Sequence, residues 1–354
     1  MRINLTPGEI KTRRLVKRFV VLFIIFVLIL HSVQITQSTK ILKSNGYVNL
    51  VDVGSYKLNV AKFGTPVGNH RIIMLSDLSH GDLSVGAARL TEALKPTNQV
   101  VFVDRAGYGM SDDTFRVLTV QRVVEDYRAA LQASGVKAPY VLVAEEFGGV
   151  YATYWETTYP GEIEAVIFIN GTEMHASEAV NRKNDKEPHA INLATSLAAK
   201  LGWAEYVAPD EFHRYTGSHS YEEQEMGTGL IASTVDSLAP VVESIKKWDN
   251  IEKTFAAITH NNIPKLYIST DPQHSHKVPR PSTAGSSDFG DVVTVTEDTP
   301  PSDILTPYLD KIGNCRLTYL NATNYPYRSN PKECSNIIQS FINNLDQYAS
   351  RPAN

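Results

Sequence analysis

The sequence predicts an α/β fold: a mostly parallel sheet opened by an antiparallel hairpin, with helices on both faces, a helical cap inserted late in the chain, and one transmembrane helix in front. Three observations carry that prediction. Arg71-Ile-Ile-Met-Leu75, Gln99-Val-Val-Phe-Val103 and Tyr140-Val-Leu-Val143 are short, apolar runs without polar alternation, as in strands covered on both faces. Segments of helical periodicity separate them, and alternating strands and helices build a parallel sheet with crossover helices. Ahead of these lies Phe19-Val-Val-Leu-Phe-Ile-Ile-Phe-Val-Leu-Ile-Leu30, with Lys11, Arg13, Arg14, Lys17 and Arg18 on its N-terminal side.

That front segment is uncharged from Phe19 to Thr39, close to the roughly 20 residues a helix needs to cross hydrocarbon. A cleaved signal peptide is the rival, because the strongly apolar part ends at Leu30 and a polar tail follows, but no small-residue cleavage site follows it. As an anchor, its basic flank keeps residues 1–18 in the cytoplasm and places the main domain outside. The expected organisation is a cytoplasmic basic segment 1–18, a signal-anchor 19–39, a folded domain 40–345 with a cap at about 175–262, and a tail 346–354. The localisation that follows is the cell membrane, single-pass.

At 354 residues, with 42% hydrophobic and 20% charged residues, the chain can bury a sizeable core and is neither disordered nor a disulfide scaffold. Its net charge of −4, with basic residues concentrated in the leader, disfavours a nucleic-acid partner. Cys315 and Cys334 are the two cysteines. They bracket one strand-loop-helix unit, and either a disulfide in an oxidising compartment or two buried thiols fits them.

In order, Gly46–Val53 and Tyr56–Phe63 alternate apolar and polar residues around Gly54-Ser55, which predicts a hairpin. The strand 71–75 is followed by a helix over Val85–Leu94 and the strand 99–103. Thr119 caps a helix with Val120, Val123, Val124, Tyr127 and Leu131 on one face, ended by Gly135. The strand from Tyr140 turns into a helix, and Ile163–Ile169 is the next strand. Ala190–Leu201 and Leu230–Trp248 are the better helices of the cap. Asn262–Ser269 returns to the sheet, 271–302 is a long loop rich in Pro, Ser, Asp and Gly, and Asp303–Ile312 is helical. Cys315–Leu320 is the last strand and Pro331–Leu345 the closing helix.

The organising stretch is Tyr140-Val-Leu-Val-Ala-Glu-Glu-Phe-Gly-Gly149, a buried strand running straight into a helix, with two glycines where that helix must pass close to the sheet. Together with Asp104-Arg-Ala-Gly-Tyr-Gly-Met-Ser111, which matches D-x-x-G-x-G-x-S, and Thr323-Asn-Tyr-Pro-Tyr-Arg-Ser-Asn-Pro331, it resembles the α/β-hydrolase superfamily over about Gly46–Leu345. In that superfamily the turn is a nucleophile elbow, G-x-S-x-G, whose serine stands clear of the sheet.

The resemblance implies a catalytic position for each motif, and this chain departs from the pattern at three of them. Glu146 stands where the nucleophile belongs. Relatives with aspartate there open epoxides or displace halide, but glutamate moves the oxygens about 1.5 Å further out, an offset that costs roughly a hundredfold at reacting geometry. Asn324 stands where the histidine base belongs, and an amide cannot take up a proton near neutral pH. In the oxyanion loop Ser76-Asp-Leu-Ser-His-Gly81, Asp77 replaces a glycine and brings a negative charge toward a developing anion. The acid matches Asp271, with Glu173 as the alternative. His80 is the rival base, since its loop faces the elbow.

By the same resemblance, Asp77, Leu78, Glu145 and Phe147 are the residues placed to bind a ligand. A metal site is disfavoured because no ligand spacing such as H-E-x-x-H is present, and no cofactor is expected. The expected function is a membrane-anchored pseudo-hydrolase that binds a small molecule or a protein partner. The alternative is an active ester or epoxide hydrolase using Glu146 with a non-standard base.

Overall fold

The computed structural model describes residues 7–78, 81–174, 193–207, 209–215, 220–271 and 305–349. It opens with one continuous helix, α1 (Pro7–Ser44), that carries the apolar run and continues beyond it. The expected boundary between residues 39 and 40 therefore falls inside a helix. The last turns pack on the cap: Leu42 is fully buried in a cluster with Tyr215, Met226 and Leu230.

Among the described residues the sheet has eight strands: β1 (Leu50–Asp52), β2 (Lys57–Gly64), β3 (Arg71–Leu75), β4 (Gln99–Val103), β5 (Tyr140–Glu145), β6 (Ile163–Ile169), β7 (Lys265–Ser269) and β8 (Cys315–Tyr319). Their order is β1-β2-β4-β3-β5-β6-β7-β8. β2 pairs antiparallel with β1 and β4, and every other pairing is parallel. The hairpin, the buried strands and the parallel majority match the expectation from patterning.

The period of two along each strand divides the core. In β5, Leu142 and Ala144 join one cluster with Tyr151, Trp155 and Tyr308. Val141 and Val143 join the cluster on the other face, with Leu90, Tyr327 and Ile338. Both faces are thus covered, as uninterrupted apolar strands require.

Two of the expected helices are broken into shorter ones. The 85–94 helix is broken at Ala87 into α2 (Leu83–Gly86) and α3 (Ala88–Leu94). α4 (Val120–Ala133) and α5 (Gly148–Thr158) agree with expectation, with Thr119 Oγ1 accepting the Arg122 N–H at 3.3 Å as the cap of α4.

In the cap, α6 (Leu193–Ala198) runs through a π turn (Ala199–Trp203) into α7 (Ala204–Val207), and α8 (Pro209–His213) follows. The predicted helix 230–248 is three: α9 (Tyr221–Asp236), α10 (Ala239–Ile245) and α11 (Lys247–Ala257). Pro240 cannot donate an intrahelical bond, and Asp113 accepts the N–H groups of Leu238 and Ala239 at 2.9 Å each, starting a new helix there. The remaining helices are α12 (Leu305–Ile312), α13 (Pro326–Ser329), α14 (Pro331–Asn343) and α15 (Leu345–Ala349).

The disulfide alternative does not hold. Cys315 and Cys334 are both free thiols. Cys315 packs against the core on one sheet face, while Cys334 sits in the core on the other, so the sheet separates them.

Candidate functional site

The turn between β5 and α5 has the shape of an elbow. Glu146 has φ +46°, a left-handed conformation that costs a non-glycine residue of order 1–3 kcal/mol. Bonds on either side hold it: its N–H donates to Ile169 O at 3.1 Å, and its carbonyl accepts from Gly149 N and Thr172 N at 3.0 Å each. Gly148 has no side chain because the backbone passes too close, since a Cβ there would lie 2.4 Å from Leu75 O. Glu146 is half-buried, whereas the preceding Glu145 is 2% exposed.

The two glutamates therefore do different things. The Glu145 carboxylate accepts the Tyr327 hydroxyl, which ties the end of β5 to α13. Burial first, and then the Glu145 charge, hold that phenol well above its ordinary pKa, so the proton stays on Tyr327. Glu145, placed by the resemblance among the ligand-binding residues, is here a buried acceptor for Tyr327.

Asp77 does more than bring charge near the turn. Its Oδ1 accepts the backbone N–H of Phe147 at 2.9 Å. In the superfamily the residue after the nucleophile supplies one oxyanion-hole donor, and productive donors lie 2.7–3.1 Å from the oxyanion. The Asp77 carboxylate thus occupies the Phe147 N–H at an ordinary hydrogen-bond distance. Phe147 itself is 1% exposed, its ring edge-on to Tyr151, and Leu78 packs against the same core.

A buried ion pair fixes the Asp77 backbone. Arg105 donates from Nη1 to Ser76 O at 2.7 Å and from Nη2 to Asp77 O at 2.6 Å. Its Nε lies 3.0 Å from Glu243 Oε1, with side-chain exposures of 1% and 0%. Glu243, on α10 of the cap, also accepts the Tyr151 hydroxyl. Burial works most strongly against the Arg105 charge, but Glu243 together with Tyr127, Tyr108 and Tyr151 outweighs it, and the guanidinium is held well above its ordinary pKa. Sequence reasoning missed this pair. Arg105 stood inside a recognised motif, but Glu243 lies 138 residues away and no local pattern singles it out.

The loop after β8 meets the end of β6. Asn324 is exposed, and its carbonyl accepts Asn170 Nδ2 at 2.8 Å. Asn170 also donates to Thr270 Oγ1 at 2.9 Å and accepts from Thr270 N at 2.8 Å. One amide thus joins the ends of β6 and β7 to the Asn324 loop. Asp271 is exposed at the end of β7, its N–H on Ser269 Oγ at 3.1 Å.

Glu173, the alternative acid, is half-buried near the elbow. Burial, then the Glu173 charge, and more weakly Tyr308 and Glu146, hold the Tyr267 phenol well above its ordinary pKa. His80 lies outside the described residues, as do 175–192 and 272–304 of the expected cap and loop.

A second buried ionic cluster was also missed. Asp82, 0% exposed, accepts Tyr215 Oη at 2.6 Å and Arg328 Nη2 at 2.7 Å, with Arg214 Nη1 at 3.5 Å. It connects the start of α2, the cap and α13.

No family model matches the chain. The uncharacterized protein YbdG of Bacillus subtilis is 34% identical over 207 residues, a match spanning 58% of this chain and 58% of YbdG. Among solved structures, the DbeA-M1 loop variant of a haloalkane dehalogenase from Bradyrhizobium elkanii is similar with a TM-score of 0.56 at 14% identity, over 85% of this chain and 98% of that one. A candidate epoxide hydrolase from Pseudomonas aeruginosa is similar with a TM-score of 0.54 at 12% identity, over 85% and 96%.

Proposed function

We propose that this chain, whose fold is that of the α/β-hydrolases, is a membrane-anchored binding protein without hydrolytic activity, its N-terminus cytoplasmic and its domain outside. The observation that carries this reading is the Asp77 carboxylate on the Phe147 N–H at 2.9 Å. An acyl-transfer transition state puts negative charge where that carboxylate already is, so the site disfavours the state it would have to stabilise. Asn324 at the position of the base adds a second obstacle, because it cannot accept the nucleophile's proton. A ligand, either a small molecule or a protein segment, would lie over the half-buried Glu146 and Leu78 beneath the cap.

A second reading keeps catalysis, with Glu146 as a carboxylate nucleophile for esters or epoxides. The strained backbone at Glu146 favours it, since strain of this kind is retained where a side chain is presented for use.

One experiment separates the two. The full chain, purified in detergent, is assayed with p-nitrophenyl esters, an epoxide and a haloalkane beside its Glu146→Gln variant. The binding reading expects no difference between the two proteins. Turnover that Glu146→Gln abolishes would establish the hydrolase.

A further inference from the structure

The helix that would span the membrane is claimed by the cap before it has crossed. Between Arg18 and His31 lie the residues 19–30, which make about 18 Å of helix at 1.5 Å per residue. The hydrocarbon core of a bilayer is about 30 Å thick. From His31 on, one side of α1 belongs to the cap: His31 Nε2 pairs with Asp236 at 2.8 Å, Ser38 is 1% exposed beneath Gly229, and Leu42 is fully buried. The helix runs unbroken to Ser44, so whatever lies beside residues 31–38 lies at the depth of the missing hydrocarbon. Ile29 and Val33 on the uncovered side are 55% and 57% exposed.

The cap elements beside this part of α1 are built inside out. α6, the π turn and α7 bury small residues, Ser196, Ala199 and Ala204, against α9 and α1. Ser196 Oγ donates to Ser237 O at 3.0 Å. Four of their large apolar residues face outward: Leu193 55%, Leu197 53%, Trp203 54% and Tyr206 83% exposed. In water this inverts the usual order of burial, and the four recur at intervals of four, six and three residues. Trp and Tyr concentrate at the boundary of a bilayer, and exposed Lys40, Lys43 and Lys200 suit the headgroup level by snorkelling.

We propose that this flank of the cap is a bilayer-docking surface: Leu193, Leu197, Trp203 and Tyr206 enter the leaflet on the domain's side and, with the upper part of α1, complete the hydrophobic thickness. The surface takes phospholipid acyl chains at the depth of the headgroup boundary, about 5–10 Å into it. The His31–Asp236 pair, with side chains 12% and 19% exposed, is then mostly covered by protein, as suits an ionisable pair at membrane depth. This proposal rests on the reading of α1 as a spanning helix.

The test uses the full chain in phosphatidylcholine nanodiscs, prepared with ordinary or acyl-brominated lipid, with the Trp203→Phe variant prepared the same way. The difference in emission between wild type and variant isolates Trp203 from Trp155 and Trp248. Loss of that difference in brominated discs is the expected result. A chain that enters the discs but keeps the Trp203 emission unquenched overturns the docking surface while leaving the anchor intact. If such discs also hold two chains, a second copy covers the flank and the proposal is equally overturned. A chain that fails to enter discs at all overturns the spanning helix, and the docking surface with it.

Discussion

Asp77 and Phe147, 70 residues apart in sequence, meet at 2.9 Å, carboxylate oxygen on backbone N–H. The bond stabilises the turn and, on the function proposed above, occupies the N–H that an ester hydrolase would turn toward its transition state. A glycine at 77 would leave that N–H open.

This leads to an ordered set of variants. With Glu146→Ser and Asn324→His introduced together, the chain is expected to remain a poor esterase because Asp77 still blocks the donor. Adding Asp77→Gly should raise kcat/KM for p-nitrophenyl acetate by about 100-fold or more, the usual value of one oxyanion-hole donor. Equal rates with and without Asp77→Gly would show that the Asp77–Phe147 bond does not block the site.

Arg105 and Glu243 join the oxyanion loop to the cap through a fully buried ion pair. Removing one partner leaves a buried charge without its counterion, which costs about 3–5 kcal/mol. Arg105→Met should therefore lower the stability of the detergent-solubilised chain by that order in a urea titration. Arg105→Met with Glu243→Leu should recover most of the loss. A double variant no more stable than the single would mean that the pair's hydrogen bonds to Ser76, Asp77 and Tyr151 matter more than its charge.

Asp104 accepts Met110 N and Asn59 Nδ2 at 3.0 Å each. Burial outweighs these bonds and pushes its carboxyl up to about 6. The folded state then holds the proton more tightly than the unfolded chain, whose carboxyl titrates near 3.9. The resulting contribution to stability is complete below about pH 4 and is lost as pH rises through 6, roughly 2–3 kcal/mol in all. Asp104→Asn should remove that dependence. Unfolding curves of wild type and variant at pH 4 and pH 7 give the comparison, and parallel changes in both proteins would contradict it.

Cys315 and Cys334 are free, and burial pushes both thiols up to about 12. Thiolate is the reactive form, so a maleimide should label the native chain slowly and both cysteines once it is unfolded in denaturant without reductant. A single or absent label in denaturant, restored by reductant, would reveal a disulfide.

Much of the fold was legible because its signals are local. Uninterrupted apolar runs marked buried strands, Thr119 marked a helix start, and Gly148 marked the close passage of α5 under Leu75. Where reading along the chain failed, a distant group decided. Asp113, 125 residues from Leu238, starts a new helix inside what periodicity reads as one, and the sheet stands between two cysteines that are near in sequence.

For the candidate site, the sequence by itself determined which chemical groups stand at the positions that the resemblance singles out: a carboxylate at 146, an amide at 324 and a carboxylate at 77. Side-chain chemistry is intrinsic to each residue and needs no coordinates. Only the tertiary structure decided what those groups touch. Asp77 lies on the Phe147 N–H, Glu145 accepts from Tyr327, and Glu243 reaches Arg105 from the cap, because hydrogen bonds and ion pairs act over about 3 Å in space and are indifferent to separation along the chain.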